Sequence, residues 1–121
     1  MNILIVGSRK IKSFDLEKYI PDGVDLIISG GAVGIDNLAE KYADEHKISK
    51  LILRPNYARF GRAAPIIRNR KMVDLADEII IVWDGKSRGT KQTLDYATKQ
   101  AKPLRLISLR EERVVQTRSK A

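Results

Sequence analysis

The chain has 121 residues, a length that suits one domain with a core large enough to fold without staples. It has no cysteine, which excludes disulfides and thiolate metal sites, and its apolar and charged fractions are those of a globular protein. The formal charge of +8 points to nucleic acid or a smaller anion as partner, so where the charge sits matters more than its total.

In chain order, short apolar runs alternate with helical periodicity, which is the signature of a parallel β-sheet covered by helices on both faces. Ile3 to Val6 reads as the first strand. This opening run has no basic segment before it and is too short for a signal peptide or membrane span, so the expectation is a cytoplasmic protein with no membrane partner. A short helix follows near Asp15–Ile20, then a second strand at Asp25–Ile28. The helix at about Gly34–Lys47 is the most legible, because Ile35, Leu38, Ala39, Tyr42, Ala43 and His46 form one stripe. His46, the only histidine, ends that stripe where a helix dipole favours it, and reads as structural. The third strand is Lys50–Leu53, and a helix at about Ala63–Ala76 leads to the fourth strand, Glu78–Trp83. A helix at about Thr90–Ala101, stopped by Pro103, leads to the fifth, Leu104–Ser108. Residues 1–108 thus read as one domain and 109–121 as a basic, solvated tail carrying Arg110, Arg113, Arg118 and Lys120.

Ligands of open parallel sheets sit beyond the carboxyl ends of the strands. Three of those ends carry glycine: Gly7-Ser8-Arg9, Ser29-Gly30-Gly31-Ala32-Val33-Gly34-Ile35-Asp36, and Asp84-Gly85-Lys86-Ser87-Arg88-Gly89-Thr90. Glycine lets the backbone turn sharply and approach a ligand, and the helix that follows offers unpaired N–H groups to phosphate. Asp36 is placed either to cap its helix or to accept a ribose hydroxyl. The spacing of Gly30, Gly31 and Gly34 is not the dinucleotide fingerprint. Gly85-Lys86-Ser87 is not a phosphate-binding P-loop either, because Ile80 stands where its first glycine belongs.

Around the third helix, Arg54, Arg59, Arg62, Arg68, Arg70 and Lys71 occur with no acidic residue among them. Ala63, Ile66, Ile67 and Val73 define an apolar stripe with Arg70 near its centre, which predicts an arginine aimed inward at an anion, either a carboxylate of the chain or a ligand phosphate; Arg68 then points roughly the opposite way, beside Met72 and Leu75. Two apolar faces on this helix either both pack within one domain or leave one for a second subunit, and a homodimer is the expectation. No nucleophile elbow, metal-ligand cluster or cofactor motif is present, which leaves Asp36, Asp84 and Asp95 as the carboxylates for any chemistry.

As an ordered set these motifs, with Phe60-Gly61-Arg62-Ala63-Ala64 and Ile67-Arg68-Asn69-Arg70-Lys71-Met72 between them, resemble the SLOG superfamily, over about residues 3 to 107. That superfamily includes the DprA/Smf group and the LOG phosphoribohydrolases; the short stand-alone YspA-related branch is the most similar type. The resemblance implies a three-layer α/β/α Rossmann-like fold with an open parallel sheet of about five strands. It also implies a nucleotide pocket lined by Gly7, Ser8, Arg9, Ser29, Gly30, Gly31, Gly34, Asp36 and Arg70, with phosphate at the Gly89-Thr90 turn. LOG hydrolases carry a catalytic glutamate where this chain has Thr93, which argues for binding over N-glycosidic hydrolysis. The expectation is therefore a nucleotide-binding or sensing domain, with a phosphoribohydrolase-like enzyme as the alternative. Single-stranded nucleic-acid binding is a further alternative, suggested by the DprA likeness and by Tyr57 and Phe60 among the arginines.

Overall fold

The computed structural model describes residues 1–109 and the backbone of 113–117. Five parallel strands form the sheet: β1 (Asn2–Gly7), β2 (Leu26–Ser29), β3 (Ser49–Ile52), β4 (Glu78–Trp83) and β5 (Leu104–Ser108). A sixth strand, β6 (Arg113–Thr117), pairs antiparallel with β5 and gives the order β3-β2-β1-β4-β5-β6. The segment expected as a solvated tail therefore extends the sheet edge, because an unpaired β5 offers it a row of backbone donors and acceptors. Arg110, Arg118 and Lys120 of that expected tail lie outside the described residues.

The helices are α1 (Ile35–Glu45), α2 (Tyr57–Phe60), α3 (Ala64–Leu75) and α4 (Arg88–Lys99). The helix expected near Asp15–Ile20 is a single 3₁₀ turn, Leu16–Lys18, whose Leu16 is buried. Side chains alternate across a strand, and both faces of this sheet are apolar. Ile3, Ile5, Ile27, Ile80 and Val82 face Ile35, Ala39 and Ala43 of α1. Leu4, Val6, Ile28, Ile79 and Ile81 face Met72, Val73 and Ala76 at the end of α3, with Ala97 of α4. The result is a three-layer α/β/α Rossmann-like sheet.

The chain builds β1, β2 and β3 outward on one side and then returns through α3 to place β4 beside β1. The strand order reverses there, so loops diverge and a crevice opens beyond the carboxyl ends of β1 and β4. His46 is held locally. It ends α1 with Nδ1 3.0 Å from the Tyr42 carbonyl and its ring stacked on Tyr42 at 3.9 Å.

Candidate functional site

The crevice is a cleft of about 110 Å³ whose walls come from β1, the loop after β2, α3 and the start of α4. Its polar groups converge from separate elements. Gly7 and Arg9 come from the end of β1, Asp36 from α1, Arg68 and Asn69 from α3, and Ser87, Gly89 and Thr90 from the α4 N-terminus.

The loop after β2 is shaped for close approach. Gly34 precedes α1 with φ +83°, a left-handed conformation that suits glycine, and a Cβ there would lie 2.6 Å from the backbone oxygens of Ser8 and Arg9. Ser29, fully buried, donates its hydroxyl to Glu40 Oε2 at 2.8 Å and accepts the Gly31 N–H at 3.1 Å. Asp36 does not cap α1, since Gly34 occupies that position; its carboxylate accepts the Ala32 N–H at 3.1 Å and pins the loop.

Asp36 and Arg68 flank Gly30. A Cβ on Gly30 would come within 2.9 Å of both Asp36 Oδ2 and Arg68 Nη1, so only glycine lets the two side chains close on the loop. Arg68 Nη1 donates to the Gly30 carbonyl at 2.8 Å and the Leu53 carbonyl at 3.1 Å, and its Nε donates to Asn69 Oδ1 at 2.8 Å. One guanidinium thus ties the ends of β2 and β3 to α3. Burial pushes the Asp36 carboxyl up from 3.8 to about 6, against the opposing pull of the Ala32 N–H and the Arg68 charge. Burial likewise lowers the Arg68 pKa while Asp36 raises it. The pair is a cation and a carboxylate held in a cleft, a combination that suits polar recognition or proton transfer.

At the other wall, Ser87 caps α4, accepting the Thr90 N–H at 3.4 Å, while the Thr90 hydroxyl lies 3.0 Å from Ser87 Oγ. Gly89 has open space around it, so a ligand can reach the N–H groups of the first turn. The Thr93 hydroxyl, also at the cleft, donates to the Gly89 carbonyl at 3.1 Å.

Of the residues expected from sequence, Gly7, Arg9, Asp36, Gly89 and Thr90 line this cleft. Ser8, Ser29, Gly30, Gly31 and Gly34 stand behind its walls and shape the loops instead. Ser8 is buried, and its hydroxyl accepts the Asp84 N–H at 3.0 Å, holding the ends of β1 and β4 together. Arg70 is the correction. It is exposed, lies over the Tyr96 ring at 5.4 Å and points away from the cleft, where Arg68 stands instead. The buried face of α3 is Ala64, Asn69, Met72 and Val73, whereas Ile67 is 37% exposed and Leu75 42%. Met72 is therefore unavailable to a second subunit. The half of α3 near the cleft meets strand-end carbonyls rather than apolar side chains, so Arg68 and Asn69 turn inward there and Ile67 turns out. The apolar stripe aims Arg68 away from the site and gives Asn69 and Gln92 no part in it; a helix phase counted back from Ala76 and Met72 finds the first two.

Asp84 is spent on its own loop, accepting the Lys86 and Ser87 N–H groups at 2.8 and 2.9 Å, which hold its pKa below the ordinary value. Asp95 is paired with Lys91 at 2.7 Å. Among the described residues no group of three or more His, Asp or Glu side chains is placed to hold a metal, and no helix is long and apolar enough to cross a membrane. The basic segment is divided: Arg68 lines the cleft and Arg54 reaches the Gly31 carbonyl at 3.4 Å, while Tyr57, Arg59, Phe60 and Arg62 are exposed at and just after α2, with the Arg59 guanidinium 5.1 Å from the Phe60 ring centre. No family model matches this chain, and no curated protein or solved structure matches it either.

Proposed function

We propose that the cleft binds a nucleotide or nucleotide-derived ligand through its sugar-phosphate. The phosphate sits against the N–H groups of Arg88 and Gly89 with Arg9 beside it, and a ribose hydroxyl donates to Asp36. One observation carries this reading: a buried carboxylate held by the Ala32 N–H, with the Arg68 charge nearby, faces the open first turn of α4 across a cleft at the point where the strand order reverses. The motif resemblance to the SLOG superfamily supports the same ligand class. Titration calorimetry with nucleoside 5′-monophosphates tests it. Binding that weakens at least tenfold in Asp36→Asn is expected, since a charge-assisted hydrogen bond is worth about 1.5–3 kcal/mol. Absence of binding by every monophosphate would overturn it.

The Asp36 carboxyl, held at about 6 in the cleft, favours a second reading in which the bound nucleotide is cleaved at its N-glycosidic bond. Thr93 stands where the similar hydrolases carry their acid, so Asp36 is the carboxyl left to do the work. Chromatography for free base released from a nucleoside monophosphate decides this reading. Release that disappears in Asp36→Asn supports catalysis, and intact nucleotide at high protein concentration refutes it.

A further inference from the structure

A cleft of about 110 Å³ is small for a whole nucleotide, because small-molecule sites run from about 300 Å³ upward. A neighbouring space shares part of its wall. Between α3 and α4 lies a second hollow of about 340 Å³, and Asn69 and Gln92 line both spaces. Building on the nucleotide reading of the cleft, we propose that this hollow is the nucleobase subsite and that its residues decide which base is accepted.

The chemistry of the hollow suits a planar heteroaromatic ring. The Arg70 guanidinium lies over the Tyr96 ring at 5.4 Å, which fixes a flat cationic plate on one side. The Tyr96 hydroxyl donates to Asp74 Oδ1 at 2.8 Å, so the platform beneath that plate is itself anchored. Ile66 supplies apolar surface. Base edges carry mixed donors and acceptors, and amides match them. Arg68 Nε occupies Asn69 Oδ1, which turns that amide so that its NH₂ is left to donate at the junction of the two spaces. Gln92, exposed on α4, retains both a donor and an acceptor. A base entering here therefore meets a stacking surface, an apolar contact and two amides, one with its orientation already set. Arg70 thus touches the ligand at the base end, on the opposite side of α3 from the position the sequence assigned to it.

The test compares ribose 5-phosphate, the four common nucleoside 5′-monophosphates and ribose 1,5-bisphosphate by calorimetry on the full chain. Wild type should bind at least one monophosphate tenfold or more tightly than ribose 5-phosphate and discriminate among the bases. Arg70→Ala, at an exposed position outside the cleft, should remove most of that gain while ribose 5-phosphate affinity stays within twofold; Gln92→Ala, at a residue that touches both spaces, should lower the ratio of monophosphate to ribose 5-phosphate affinity measured in the same variant. Monophosphates that bind no better than ribose 5-phosphate overturn the base subsite and leave the cleft reading standing. The same holds if the gain survives both substitutions. A bisphosphate that outbinds every nucleotide assigns the hollow, with Arg70 and Lys99, to a second anion and also overturns the proposal. No binding by any probe removes both readings.

Discussion

Asp36 carries an unusual load for one side chain: it pins the glycine loop through Ala32, faces the cleft, and stays buried beside Arg68. Its carboxyl is raised to about 6 from 3.8. The native state therefore holds a proton that the unfolded chain has released between those values, and stability falls as pH rises through that window. Above about 6 the ionised form is a standing cost. Asp36→Asn should remove it. The variant is expected to melt at least as high as wild type at pH 7.5 and to lose the part of the pH 4 to 6 slope that wild type shows. A lower melting temperature at pH 7.5 with an unchanged slope would contradict this account. In the proposed binding mode the sign is opposite, because a ribose hydroxyl would donate to the ionised carboxylate. Affinity should rise from pH 5 to 7.5. Since phosphate itself titrates near 6, the difference between wild type and Asp36→Asn is the readout. Arg68 tests the same corner. Arg68→Ala gives up its bonds to Gly30 and Leu53 and should cost about 2 kcal/mol in chemical denaturation, with Arg68→Lys falling between the two.

At the level of elements, glycine at the end of β1 is required by packing before any ligand arrives. A Cβ at Gly7 would lie 2.4 Å from the Val82 carbonyl and 2.6 Å from Ile35, where α1 crosses the β1–β4 pair. Gly7→Ala is expected to lose about 1–3 kcal/mol in urea unfolding, and an unchanged midpoint would show that the strand ends are looser than described. The strands were legible because both faces of a parallel sheet demand apolar side chains: Glu78–Trp83 and Leu104–Ser108 were placed to the residue. Helix α1 was legible for the complementary reason, since Ile35, Ala39 and Ala43 meet one apolar face along their whole length. Helix α3 was not. Its two ends meet different surroundings, apolar at Met72 and Val73 but carbonyl-lined at Arg68 and Asn69, so a count of apolar positions chose the wrong phase and with it the wrong arginine. Likewise α2, one turn capped by Asn56, has too few residues for periodicity, and β6 follows β5 with none of the usual turn residues (Gly, Pro, Asn, Asp or Ser) between them.

For the whole molecule, the strand order matters more than any single motif. It brings together loops far apart in the chain, so that Arg9, Asp36, Arg68 and Gly89 share one cleft. Each glycine loop alone is a weak signal, and their meeting at the reversal between β1 and β4 places them around a common cleft. The sharpest test of that assembly is a calorimetric titration of nucleoside 5′-monophosphates into wild type, Asp36→Asn and Arg68→Ala at pH 7.5. Saturable binding to the wild type, weakened at least tenfold in both variants while each remains folded, is the expected result. Absence of binding, or equal affinity in all three proteins, would contradict the assignment of this cleft to a nucleotide.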